Sequence, residues 1–444
     1  MTTPRTSANL ASRSAELYER ARRVLPGGVS RNTVLRSPHP AYADFGSGCR
    51  VTDIDGVTRI DFSNNMASLI HGHADPEIVR AVTRQLERGS AFMMATEVEV
   101  EYAEHLQSRN PGFEKMRFVN SGTEALMVAL KASRAFTGRP QIAKIEGSYH
   151  GGYDYAEVSQ SPNPDTWGSL DHPNRVPLAH GTPASALHDV VVIPFNDVAR
   201  TITILDEHVD ELACVLLDLM PHRVGLNPAE SEFVHAIRDW TERNGILLVL
   251  DEVVTFRCEY GGLQSRYGIQ GDLTAMGKLV GGGFPIGVVA GRADVLEVMN
   301  PRGDRYLFPH SGTFSANPIS MTAGLTAMRR FDHDAVARLN SLAERAMSGI
   351  NEAARSTGAE ACATGAGSMF RIHMKANPPR DFREAFLSTE EQARLTALLD
   401  HLFDAGFLMV NTCTAILSTP MTKAEIDGLV HATGEGFEKI ASMQ

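Results

Sequence analysis

A lysine set among apolar residues and glycines is the first candidate for chemistry. Lys278 lies in Asp272-Leu273-Thr274-Ala275-Met276-Gly277-Lys278-Leu279-Val280-Gly281-Gly282-Gly283, without the charged neighbours of a solvated face. Desolvation lowers the pKa of an amine and makes it nucleophilic. The glycines let the backbone come close to a flat ligand or turn sharply. Asp251 is the second candidate, the first of two carboxylates after the apolar run 246–250. A solvated pair at a strand exit would explain it plainly; held near a buried sheet edge, it needs a cationic partner. The third candidate is Val119-Asn120-Ser121-Gly122-Thr123-Glu124, which leads into a helical run over 125–136. Ser121 reads as an N-cap and Glu124 as its capping-box partner. The same hydroxyls, glycine and free N–H groups at a helix N-terminus also make a seat for a phosphate.

None of the three decides anything alone. Together they supply a desolvated amine, a carboxylate and a phosphate cradle. That is the set a pyridoxal 5'-phosphate enzyme requires: a Schiff-base lysine, an acid paired with the pyridinium nitrogen and a phosphate anchor.

These groups need elements to position them. Short β-branched runs at 141–145, 190–193, 213–217 and 246–250 alternate with helical periodicity from about Pro76. That alternation predicts an α/β domain with a mainly parallel sheet, whose strand carboxyl ends bind ligands. Before it, residues 8–24 read as a charged amphipathic helix, Pro26-Gly27-Gly28 as a turn and 41–62 as small antiparallel strands. From about Ala316 helices return, with strand candidates at 369–374 and 408–411. The expected division is 1–75 (helix and small-domain strands), 76–315 (large cofactor-binding domain) and 316–444 (a smaller α+β domain packed with the N-terminal strands). The stretch 158–184, rich in Pro, Ser, Asn, Asp and Gly, predicts a functional or mobile loop.

The 444 residues suffice for two domains, and 43% hydrophobic with 21% charged residues is ordinary for a soluble protein. A net charge of −11 argues against nucleic acid or an anionic membrane as partner. The five scattered cysteines have neither CxxC nor zinc spacing, so no metal site is expected and the thiols read as reduced. No window has signal-peptide or membrane-span character, which makes a cytoplasmic location the default.

With these motifs in view, the chain resembles the class III, fold-type-I aminotransferases. It is most similar to the glutamate-1-semialdehyde aminomutase branch and its β-amino-acid aminotransferase relatives. The likeness runs through Leu25-Pro26-Gly27-Gly28, Gly72-His73-Ala74-Asp75-Pro76-Glu77, Asn120-Ser121-Gly122-Thr123-Glu124-Ala125, Tyr149-His150-Gly151-Gly152, Asp251-Glu252-Val253, the Lys278 segment and Ser311-Gly312-Thr313-Phe314. The resemblance implies that Lys278 carries the cofactor and shuttles the proton, and that Asp251 pairs with the pyridine nitrogen. Ser121, Gly122 and Thr123 would hold the phosphate. Tyr149 and Val253 would cover the two ring faces, with His150 beside them. Thr313 would reach the phosphate of a neighbouring subunit, implying a homodimer with interfacial sites.

The departures concern substrate. After the strand at 213–217 the family usually shows Glu-Pro and a small polar stretch; here stand Asp218-Leu219-Met220-Pro221-His222-Arg223. Met66 occupies a position that is aromatic in relatives. The loop 158–184 resembles the aminomutase gating loop, whereas Thr255-Phe256-Arg257 resembles the β-amino-acid branch. Arg31 sits where that branch has a carboxylate-binding arginine, and Asn411-Thr412-Cys413-Thr414 supplies no second one. The expectation is an aminotransferase moving an amino group from an amino acid, a β-amino acid or another mono-carboxylate amine among them, to a keto acceptor. Arg31, Met66, His222 and Arg223 are its substrate candidates. A 2,1-aminomutase, or a racemase or decarboxylase on the same scaffold, is the alternative; a non-catalytic regulator would need an appended binding module that the sequence lacks.

Overall fold

The computed structural model describes residues 12–441. Of the expected N-terminal helix, Arg13–Ala21 is formed, capped by the Ser12 side chain on Ala15 N–H, and residues 8–11 lie outside the described part. Three antiparallel strands follow as expected: β1 (Ala43–Ser47), β2 (Arg50–Asp53) and β3 (Thr58–Asp61).

The large sheet has seven strands: β4 (Lys115–Val119), β5 (Gln141–Ile145), β6 (Val190–Ile193), β7 (Leu212–Leu217), β8 (Leu247–Asp251), β9 (Leu273–Gly277) and β10 (Gly287–Gly291). Their spatial order is β4-β10-β9-β8-β7-β5-β6, with β10 antiparallel to both neighbours and every other pair parallel. Because β10 reverses once on each side, β4 points the same way as β9. The carboxyl ends of β4, β5, β7, β8 and β9 therefore share one edge of the sheet, and each is followed by a candidate motif. Strands β5 to β9 are buried along their whole length, as expected of a sheet covered by helices on both faces.

A third sheet holds β11 (Cys362–Ala366) and β12 (Met369–His373), and β13 (Phe407–Leu408) leaves it to pair parallel with β3. Strand β14 (Thr414–Ile416) completes the third sheet against β12. The N-terminal strands and β13 thus meet in the β1-β2-β3-β13 sheet. The strand expected over 408–411 is only the two-residue β13, because Val410–Cys413 close a turn in which Cys413 N–H donates to Val410 O. Among the described residues no helix is long and apolar enough to cross a membrane.

Candidate active site at the carboxyl edge of the large sheet

The helix Gly122–Thr137 starts directly after β4. Ser121 Oγ accepts from Glu124 N–H at 3.1 Å, as an N-cap should. The reciprocal half of the expected capping box is shifted by one residue: Glu124 Oε2 accepts from Asn120 N–H at 2.6 Å rather than from Ser121. The first turn is packed from two sides. A Cβ at Gly122 would meet Val253 Cγ1 at 2.7 Å, and one at Gly151, where φ is +85°, would meet Thr123 Oγ1 at 2.3 Å. Gly287 is equally confined, since a Cβ there would lie 2.0 Å from Ser121 O. Residues 121–123, Gly151 and Val253 thus meet at the mouth of one helix.

Asp251 is the last residue of β8 and is buried, as is Glu252. Neither is the solvated residue that an isolated pair suggests. Asp251 Oδ1 accepts from Val253 N–H at 3.0 Å, and its Oδ2 lies 2.7 Å from His150 Nδ1. The required cationic or donor partner is therefore His150. Burial pushes the His150 pKa down against the attraction of Asp251, so a neutral ring with its proton on Nδ1 suits the contact. Its Nε2 is buried without a partner. Glu252 has a structural part: its carboxylate takes Leu263 N–H, Gln264 N–H and the Gln264 amide, and burial raises its pKa to about 7.

Lys278 follows β9 and begins the short 3-10 segment Lys278–Gly281. Its φ of +51° is in the left-handed region, an unfavourable place for a side chain of this size and a form of strain met at functional sites. Burial holds its pKa below the ordinary lysine value, opposed by the charges of Asp251 and Asp218. Asp218 is buried at the end of β7, and its Oδ1 accepts from Met220 N–H at 2.9 Å. Burial, and next to it the charge of Asp251, raise the Asp218 pKa well above the ordinary carboxylate value.

His222 belongs to the same corner. Its ring meets that of Tyr149 edge-on at 5.9 Å, and burial, then the charges of Lys278 and Arg223, drive its pKa down to about 3. Arg223 donates from Nη2 to Ser161 Oγ at 2.6 Å, which ties it to the long loop. That loop is irregular, as expected, yet it is tethered. Ser159 N–H donates to Val176 O, and Arg383 reaches the carbonyls of Trp167, Gly168 and Ser169 while it pairs with Glu146 at 2.8 Å.

The other expected site residues lie elsewhere. Arg31 and Met66 line a cleft of about 780 Å³ whose walls include Asp61, His73, Asp400 and Asn411, and Lys278 is not among its lining residues. Arg31 Nη1 donates to Asn65 Oδ1 at 2.7 Å. Met66 sits on the turn Asn64–Ala67, whose four residues have φ of 44°, 48°, 56° and 75°, a left-handed turn that packs against 278–281. Thr313 is exposed beside an exposed Phe314. Arg257 is fully buried and donates from Nε to Ser368 Oγ at 2.7 Å and from Nη2 to Leu417 O.

Two residues of the corner went unread in the sequence. Lys144, inside β5, is fully buried and donates to the carbonyls of Val158 at 2.7 Å, Ser148 at 3.2 Å and Ile145 at 3.3 Å. It fastens the root of the long loop to the segment carrying Tyr149 and His150. Its signal was a charge inside an apolar strand run. Arg371, in β12, donates from Nη1 to His222 O at 3.0 Å, and its register partner is Thr414, beside the segment read as lacking an arginine.

A half-buried amine, an acid oriented by a histidine, and hydroxyl and N–H donors around a helix mouth fit pyridoxal phosphate. The class-III aminotransferase family model matches residues 35–428. The chain belongs to the class-III aminotransferases. It is a fold-type-I, pyridoxal-phosphate-dependent enzyme. It is 37% identical over 374 residues to a glutamate-1-semialdehyde 2,1-aminomutase of Methanothermobacter thermautotrophicus, covering 84% of this chain and 86% of that one. Among solved structures, an omega-transaminase from Sphaerobacter thermophilus is 46% identical with a TM-score of 0.93, over 97% of this chain and 98% of that one. A beta-phenylalanine aminotransferase from Variovorax paradoxus is 30% identical with a TM-score of 0.86, over 97% and 94%.

Proposed function

We propose that this class-III enzyme is a transaminase that takes the amino group of a carboxylate-bearing amine, β-amino acids included, and passes it to a keto acid. The observation that carries this reading is the meeting of Lys278, Asp251 with His150, and the 121–123 helix mouth on one sheet edge. When bound, pyridoxal phosphate supplies an electron sink for the carbanion at the amine-bearing carbon. Lys278 supplies the amine for covalent attachment. Burial lowers its pKa, which favours the neutral amine that can take and return the proton at that carbon. Asp251, fixed by His150 and by Val253 N–H, keeps lone pairs free for a protonated ring nitrogen. Ser121, Gly122 and Thr123 would hold the phosphate, and Val253 and Tyr149 would pack against the ring. Arg31 and Met66, in the cleft beyond the left-handed turn, bear on the far end of the substrate.

The 46% identity to an omega-transaminase over 97% of the chain supports transamination. The aminomutase relative supports the second reading, an intramolecular 2,1-transfer. Incubating the holoenzyme with an amine donor, with and without 2-oxoglutarate or pyruvate, separates them. A transaminase delivers the nitrogen to the added acceptor. An amino group that reappears in the donor's own skeleton without acceptor overturns that reading, and silence with every amine overturns both.

The proposal includes a homodimer. Phe92, Met93, Met94, Leu307 and Phe314 are large apolar side chains left exposed, Met93 fully so. A second copy would cover them and bring Thr313 to the partner's site. Sedimentation of the wild type and of Phe314→Glu tests this; a monomeric wild type with full activity overturns it.

A further inference from the structure

We propose that Arg223 and Arg371, grouped around His222 at the corner of Lys278, form the subsite that binds the substrate's carboxylate. The inference rests on the assignment of Lys278 as the reacting amine. It goes beyond that assignment in naming what the neighbouring corner is built to hold.

Arg371 is only 6% exposed, makes one hydrogen bond, to His222 O, and keeps its Nε buried without a partner. Arg223 makes one hydrogen bond, to Ser161 Oγ, and its Nε is likewise buried and unpartnered. Among the described residues neither is ion-paired with a carboxylate. Other buried or half-buried arginines of this chain also leave single nitrogens unpartnered, Arg109 Nη2 and Arg257 Nη1 among them, but each has more acceptors: Arg238 and Arg383 pair with Asp272 and Glu146, Arg109 gives three bonds to the carbonyls of Tyr260, Met328 and Phe331, and Arg257 gives two. A guanidinium taken out of water is costly unless an anion or several acceptors replace the water.

The field at the corner points the same way. Burial first, and then the charges of Lys278, Arg223 and Arg371, keep the His222 ring neutral. Arg371 itself, with a pKa lowered by burial to about 10, stays charged at neutral pH. The two acids of the site do not contact these arginines: Asp251 is held by His150, and Asp218 accepts from Met220 N–H. What is missing is an anion, and the guanidinium fork is the group that takes a carboxylate with two hydrogen bonds.

The cofactor phosphate is the other possible anion, and its capture by these arginines would show as a loss of cofactor affinity in their variants.

The test uses the holoenzyme and two amines that differ by the carboxylate, 3-aminobutanoate and 2-aminobutane, with binding read from the change in cofactor absorption. The wild type should bind 3-aminobutanoate more tightly. Arg223→Met and Arg371→Met should each weaken that amine about 10- to 100-fold, the range for a lost charge-assisted contact, and leave 2-aminobutane unchanged. Arg371→Lys should keep part of the preference, and it serves if the methionine variants fail to fold. A wild type without preference, equal loss on both amines, or loss of cofactor affinity instead would overturn the proposal. So would a loss of preference in Arg31→Met with none in the Arg223 and Arg371 variants. Failure of the Lys278 assignment looks different: the absorption itself would be absent from the wild type or survive in Lys278→Ala.

Discussion

Two corners of the molecule hold several cations and acids each, and they treat them differently. In the cleft beside Arg31, which itself donates to Asn65, most charged groups find an opposite partner: Arg36 pairs with Asp400 at 2.6 Å and Arg59 with Asp53 at 2.8 Å, and His73 Nε2 lies 2.8 Å from Asp61 Oδ2. The Arg36 and Arg59 guanidiniums also clamp the Phe403 ring, 3.8 and 3.7 Å from its centroid. At the carboxyl edge of the large sheet the match is broken. Lys278 has two acids in its field, one taken by His150 and one by the Met220 N–H, and the two neighbouring arginines have no acid at all. Satisfied charges hold a fold in place; unsatisfied ones, held there by a rigid sheet, are left for a ligand.

The largest effect should come from removing the unmatched amine. Lys278→Ala is expected to abolish covalent attachment, seen as loss of the cofactor's imine absorption, and to cut turnover by about 10²–10⁴-fold or more. Folding should survive, since Lys278 has no hydrogen bond that the fold depends on. A variant with unchanged turnover would place the reaction elsewhere, the cleft included.

Next in size is the acid. Asp251→Asn keeps the shape and removes the charge, and a loss of about 10²–10³-fold in turnover is expected, the usual scale for a lost electrostatic partner in a dry site. The same exchange at Asp53, in the cleft, removes one partner of a largely buried pair and should cost about 3 kcal/mol of stability and little activity. Equal losses from both would erase the contrast between the corners.

Lys144 tests whether the broken match extends beneath the site. Lys144→Met leaves three carbonyls short of a donor and should cost about 1–3 kcal/mol. It also changes the pH dependence. Burial holds the Lys144 pKa down to about 7 against an ordinary 10.5. Between those values the unfolded chain binds one more proton than the folded chain, so stability rises with pH, by at most about 1.4 kcal/mol per pH unit. Below about pH 7 both states are charged and the slope vanishes. Denaturant melts at pH 7, 8 and 9 should show that rise in the wild type and its absence in Lys144→Met. Parallel curves would mean that the ammonium is well solvated by its three carbonyls.

The sequence was most informative where chemistry and local structure coincide. Apolar runs marked β5 to β8 within a residue or so, and the Ser121, Asp251 and Lys278 motifs turned out to end strands on one edge. Strands β4, β9 and β10 were not picked out. Lys115–Val119 alternates charged with apolar residues, Leu273–Gly277 sits inside the lysine motif, and Gly287–Gly291 is bounded by glycines that read as turn. Arg371 was out of reach for another reason. Its place beside His222 comes from the β12–β14 register and a contact between residues far apart in sequence. The loop 158–184 was rightly read as irregular, but its tethers end on backbone carbonyls, which no side-chain pattern advertises.

The smallest effect is expected in the cleft, at the turn that carries Met66. Ala67 is 1% exposed with φ of 75°, the last of four residues in the left-handed region. An L-residue pays about 1–2 kcal/mol there and glycine almost none, while glycine gives back part of the gain through a freer unfolded chain. Ala67→Gly should therefore raise stability by no more than about 1 kcal/mol, a shift of one or two degrees in Tm for a chain of this size. The sharper readout is kinetic. If the turn's strain aims Met66 across 278–281 toward the substrate, relaxing it should raise KM for the larger amines and leave the cofactor absorption untouched. A more stable variant with unchanged kinetics would make the turn a plain connection, and the cleft a region of matched charge only.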